Sequence, residues 1–155
     1  MNYLFEKINI KKSIIAVIGM FTFIDAQHFE TVYEGNPYLA MNLTVTAATL
    51  NGTDLATGDE IGIFDGDVCV GAGIADGTIS APSNMLALVA SAQESSWPSG
   101  SGFSTGNAIS YRYFDASSGM ETSAVSATYL QGDEVFTPQG SAYISLSGEG
   151  SGAGG

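Results

Sequence analysis

The side chains able to do chemistry are mostly carboxylates, and they crowd into one stretch. Asp54, Asp59, Glu60, Asp65 and Asp67 fall within residues 54–67, with Asp76 beyond. Acids gathered at turns would supply the roughly six to eight oxygens that Ca²⁺ takes. Asp54, Asp59, Glu60, Asp65 and Asp67 are therefore the candidate metal ligands, and Ca²⁺ is the one cofactor the sequence suggests. An EF-hand register fails. Counting from Asp65 puts Asp67 and Asp76 at ligand positions, but Cys69 and Val70 stand where a ligand and a glycine are needed. The competing reading is structural, because turn aspartates accept hydrogen bonds from nearby backbone amides.

Acid–base and nucleophilic chemistry fare worse. Ile61-Gly62-Ile63-Phe64-Asp65-Gly66 resembles the apolar lead-in of an aspartic-protease loop. No hydroxyl residue separates Asp65 from Gly66, and the chain holds no second copy. Asp65 and Asp67 would sit at a hairpin tip, too open for paired-carboxylate hydrolysis. The single histidine, His28, lies near the N-terminus, so serine and cysteine nucleophiles lack a base. Zinc is disfavoured by the same shortage of His and Cys. No catalytic residue is assigned, and the chain is expected not to be an enzyme. The candidate ligand-binding residues are instead Trp97 and Phe103, in a stretch rich in serine and glycine, and Arg112. An aromatic in a loop stacks on a sugar ring or folds inward to hold the loop. Arg112 contacts a ligand or pairs with a neighbouring acid, a pairing worth little if exposed.

The charge balance narrows the partners. Among 155 residues, 4 are Lys or Arg and 16 are Asp or Glu. Lys7, Lys11 and Lys12 lie in the first twelve residues, which leaves Arg112 as the only later cation. One arginine cannot neutralise a phosphate backbone, so nucleic acid is excluded as a partner. A polybasic membrane-surface module is excluded too. A disulfide scaffold is excluded because Cys69 is the only cysteine. It is expected to be a small buried hydrophobe.

Residues 1–26 read as a signal peptide. A basic segment precedes the apolar run Ser13–Ile24, and Ile24-Asp25-Ala26 supplies a small residue at the cut. The run is shorter than the roughly 20 residues of a membrane span. Cleavage after Ala26 removes every lysine and leaves no membrane insertion. It makes the net charge one unit more negative than the whole chain's −12. The expected location is extracellular, secreted or at the cell surface.

The rest reads as strands and turns. Met41, Leu43, Val45 and Ala47 alternate with Asn42, Thr44, Thr46 and Ala48, and Asn51-Gly52 follows as a tight turn. Glu60–Phe64 and Val68–Ile74 flank Asp65-Gly66-Asp67, a hairpin pattern. Met85–Ala92 is apolar on both faces and reads as a central strand. Ala108–Phe114 puts Ile109, Tyr111 and Tyr113 on one face, the expected core. Ser123–Leu130 and Ser141–Leu146 complete the set, with a further short strand near Val135-Phe136. About seven or eight short strands predict an all-β antiparallel sandwich, Ig-like or jelly-roll-like, over residues 41–147. Residues 27–40 are expected to form a mobile N-terminal arm. Residues 148–155 form a Gly/Ser-rich linker or tail.

The run Gly58-Asp59-Glu60-Ile61-Gly62-Ile63-Phe64-Asp65-Gly66-Asp67-Val68-Cys69-Val70-Gly71-Ala72 resembles a recurring extracellular domain of large secreted proteins of Bacteroidota, many exported by the type IX route. Val32–Tyr38 and Gly102–Ala116 are similar to the same domain. The resemblance spans roughly residues 29–147. It implies a β-sandwich used as a surface, adhesin-like or spacer module, and it implies no particular chemistry. The expected function is thus a non-catalytic module for adhesion, matrix or carbohydrate contact, with an extracellular glycan or protein as partner. The alternatives are self-association into a fibre or surface layer by strand addition from the arm, and a small carboxylate-dependent hydrolase.

Overall fold

The structure is a computed structural model and describes residues 26–150. The signal peptide, apart from Ala26, and the last five residues of the tail lie outside the described residues. The described residues hold no helix and nine strands. In order these are β1 (Met41–Leu50), β2 (Thr53–Asp54), β3 (Glu60–Asp65), β4 (Val68–Ile74), β5 (Leu86–Ala90), β6 (Ser110–Asp115), β7 (Met120–Thr122), β8 (Val125–Gly132) and β9 (Ser141–Gly148). They form two sheets. One runs β2-β1-β9-β8, with β5 also paired to β1, and the other runs β4-β3-β6-β7. The expected all-β sandwich is the fold observed.

Period-two alternation builds the core. Met41, Leu43 and Val45 of β1, Ala142, Ile144 and Leu146 of β9, and Leu88 of β5 face inward from the larger sheet. Ile61, Ile63, Val70, Tyr111 and Tyr113 meet them from the smaller one. The Tyr111 hydroxyl shares a hydrogen bond with Tyr129 at 3.1 Å. Burial, that bond and the Tyr129 charge push its pKa above the ordinary tyrosine value.

The tight turns lie where the sequence placed them. Asn51 and Gly52 take φ of 52° and 78° to join β1 to β2. Gly66 takes φ of 61° at the tip of the β3–β4 hairpin. That left-handed region costs a Cβ-bearing residue energy and costs glycine little.

Three expectations are corrected. The sandwich is not wholly antiparallel, because β1 pairs with β9 in parallel, Asn42 opposite Ser141 through Leu50 opposite Gly148. The apolar Met85–Ala92 stretch is not a central strand. Among the described residues its β5 pairs only with β1, from Met41–Ala90 to Val45–Leu86. Its second face is shielded by β4 across the sandwich, where the Ser91 amide donates to the Val70 carbonyl at 3.0 Å. Gly71 leaves room there for the Val89 carbonyl, which a Cβ would strike. Val135-Phe136 is no strand but a single bridge, Ala108 opposite Val135, with Phe136 fully buried.

Candidate functional site

The outer face of the smaller sheet brings together Glu60, Arg112 and Asp67 of the residues singled out above. Strand alternation puts Glu60, Gly62 and Phe64 of β3 on that face beside Arg112 and Phe114 of β6. Glu121 of β7 stands opposite Phe114. Residues 26–33 lie across these side chains. The Glu60 carboxylate, 4% exposed, accepts the His28 amide at 2.7 Å and the Phe29 amide at 3.0 Å. Phe29 packs edge-on against Phe64 at 5.5 Å between centroids, directly above Gly62. A Cβ on Gly62 would stand 3.0 Å from Phe29 Cγ, so the glycine is what lets the ring down onto the sheet. The His28 ring stacks on Phe114 at 3.9 Å, and its Nε2 lies 2.9 Å from Glu121 Oε2. The Val32 amide donates to the Cys69 carbonyl at 2.9 Å, lining the free edge of β4. This part of the N-terminal arm is therefore seated on its own domain rather than mobile. Aromatic burial and amides charge-bonded to Glu60 hold it there.

Arg112 extends the same surface. It lies over the Phe64 ring, with its Cζ 4.1 Å from the centroid, and bridges Asp67 at 2.7 Å and Glu121 at 3.2 Å. Its planar guanidinium suits both the ring and the two acids. Hydrogen bonds from His28 and Arg112 hold the Glu121 carboxyl below the usual range against the opposing effect of burial. Cys69 is buried beside Phe29 and Phe64, and burial pushes its thiol pKa up, which makes it less reactive.

The candidate metal ligands are spread among separate structural tasks. Asp59 is 6% exposed and accepts the Ala56 amide at 2.8 Å and the Ala116 amide at 3.0 Å, tying the β2–β3 loop to the β6–β7 turn. Glu60 holds the arm. Asp65 accepts the Ser104 amide and the Asn107 side chain, each at 2.8 Å, and so fixes the loop ahead of β6. Asp67 pairs with Arg112 from a side chain 99% exposed. Asp54 is exposed on β2. Among the described residues no group of three or more His, Cys, Asp or Glu is placed to hold a metal ion.

The aromatic candidates separate as well. Phe103 is not a ligand contact. It is 1% exposed and stacks on Phe136 at 4.5 Å, within the main core. Trp97 stays half-buried, 6.4 Å from the Tyr38 ring and tilted by 57°. Its loop is braced by Gln93. Gln93 Oε1 accepts the Gly100 and Ser101 amides, each at 2.9 Å, and Nε2 donates to the Glu94 and Pro98 carbonyls. Phe103 closes the loop's base through its carbonyl, which takes the Gln93 amide at 2.9 Å. The residues the sequence reading missed are His28, Phe29 and Gln93. A glycine inside the apolar strand Ile61-Gly62-Ile63 was the available signal for the first two, since strand glycines mark close approach by another group.

What this geometry defines is an all-β sandwich with a strapped outer face and a braced aromatic loop. Comparison with protein-family models, with curated proteins and with solved structures finds no match.

Proposed function

We propose that the chain is an exported, non-catalytic β-sandwich module that makes contact with an extracellular glycan or protein surface. The observation that carries the reading is the Trp97 loop. Gln93 spends both ends of its amide on four backbone groups of that one loop. An aromatic held in this way loses little conformational freedom on binding, and preorganisation of that kind raises affinity. A carbohydrate ring stacked on Trp97 beside Tyr38 fits this arrangement. The carboxylates support the non-catalytic half of the reading, because Asp59, Glu60 and Asp65 are engaged in structural hydrogen bonds. The likeness of Gly58–Ala72 to an extracellular domain of secreted Bacteroidota proteins points the same way.

Retention of the exported chain on a glycan array tests the proposal. Truncating an anchoring tryptophan removes about 2 kcal/mol or more, roughly 30-fold in affinity. Trp97→Ala should therefore abolish retention and leave the melting midpoint within a few degrees. Retention unchanged in Trp97→Ala would refute this site.

A further inference from the structure

We infer that two copies of this chain pair edge to edge along β8, in antiparallel register about a two-fold axis at Ala127. The inference goes beyond the Trp97 reading and does not depend on it.

The larger sheet ends at β8, and no strand pairs with its far side among the described residues. The orientation of its backbone follows from one bond. The Glu149 amide donates to the Ala124 carbonyl at 2.8 Å, and Val125 stands opposite Gly148. Bonded pairs alternate along an antiparallel ladder. Ser126 and Thr128 therefore bond to β9, while Val125, Ala127 and Tyr129 aim their N–H and C=O groups outward. A bulge between Tyr129 and Gln131 ends the regular stretch.

Exposed strand edges are normally blunted by charge, proline, shortness or a cover. The other edges here have such protection. β7 is three residues long and carries Glu121, and β2 is two residues long and carries Asp54. β4 is lined by the Val32 and Ser91 amides, and the Ser91 contact is what ties the β5 end to it. β8 runs for eight residues with no charge and no proline.

Charge selects a second copy as the occupant. β1, β5, β8 and β9 contain no charged residue, whereas the chain as a whole carries −12. A basic partner would settle on the acidic loops and the smaller sheet. Two like-charged copies repel least where neither carries charge. The register is self-complementary too. A two-fold at Ala127 sets Val125 against Tyr129 and Ser126 against Thr128. It joins the two larger sheets into one across Val125–Tyr129. Such an isologous pairing closes on itself and yields a dimer, not a filament.

Sedimentation velocity on the exported chain, without ligand, tests this. The expected result is a mass that doubles with concentration. Association should tighten as salt rises from about 0.01 M to about 0.1 M, because the Debye length falls from ~30 Å to ~10 Å and self-repulsion is screened. Thr128→Glu leaves an exposed side chain exposed in the monomer but sets carboxylates beside the two-fold. It should hold the chain monomeric, with the melting midpoint that the wild type shows when dilute enough to be monomeric. Ala127→Pro removes the outward N–H at the axis and should do the same. A wild-type chain that stays monomeric, or a dimer that survives Thr128→Glu, would overturn the inference. A monomer that still binds glycans would leave the Trp97 reading intact, and a dimer that binds none would do the reverse.

Discussion

Glu60→Gln is the sharpest probe of the strapped arm, because it changes charge and one atom type while keeping shape. In the wild type both carboxylate oxygens accept backbone amides, from His28 at 2.7 Å and Phe29 at 3.0 Å, in a side chain only 4% exposed. Glutamine keeps one acceptor and turns an NH₂ group toward the other amide. One charge-assisted bond is lost, about 1.5–3 kcal/mol, and a buried donor is left facing a donor. The loss is bounded by what the arm's docking is worth. Phe29 contributes about 1.5–3 kcal/mol through burial, set against about 1–2 kcal/mol per residue for ordering the chain. A deficit of about 2 kcal/mol is thus enough to free the arm. At roughly 4 °C per kcal/mol for a domain of this size, the melting midpoint falls by up to about 8 °C. Hydrogen exchange reads the local event directly. The His28 and Phe29 amides should lose about 30-fold in protection while amides in β1 and β9 keep theirs. If those two amides exchange in Glu60→Gln as in the wild type, the carboxylate does not hold the arm and the reasoning fails.

Other perturbations separate the roles of neighbouring residues. Phe103→Ala should cost about 3–5 kcal/mol in urea denaturation, because the ring is fully buried against Phe136; a loss below about 1 kcal/mol would return Phe103 to the surface. The Glu121 carboxyl sits below its ordinary value of 4.5 through hydrogen bonds from His28 and Arg112. Its folded pKa is depressed, so its stabilisation is complete above that ordinary value and disappears as pH falls through the folded one. The stability gap between wild type and Glu121→Gln should accordingly close as pH falls below that ordinary value. A gap that persists in strong acid would contradict this. Melting in millimolar Ca²⁺ and in chelator should give the same midpoint, since Asp59, Glu60 and Asp65 already accept protein donors; a rise with Ca²⁺ would reveal a folded-state site.

Local patterns in the sequence carried much of this fold. The alternation from Met41, the Asn51-Gly52 and Asp65-Gly66-Asp67 turns, and the shared inward face of Tyr111 and Tyr113 depend only on near neighbours and strand periodicity. The expected partnership of Arg112 with an acid likewise proved to involve Asp67 and Glu121. What escaped depends on contacts distant along the chain. Two apolar faces on Leu86–Ala90 suit a central strand, but they suit equally an edge strand leaning on the opposite sheet. The parallel pairing of Asn42–Leu50 with Ser141–Gly148 has no local signature. Phe103 lies among serines and glycines, and nothing in its surroundings announces Phe136 as its partner. The acidic run misled for a related reason. Closeness along the chain suggested one shared site, whereas Asp59 and Asp65 are taken up by different loops and Asp67 by Arg112 on β6.

The parallel seam between the first long strand and the last gives the molecule a mechanical character. Its N-terminal end at Met41 and its C-terminal end at Gly148 lie at opposite extremities of the sheet, about 30 Å apart for strands of this length. Tension applied through those two points would drag β1 and β9 lengthwise past each other. The seam's hydrogen bonds would then share the load together, whereas a hairpin pulled from its open end parts one rung at a time. The arm bound to Glu60 would peel away first, and the sheet itself would yield only at a much higher force.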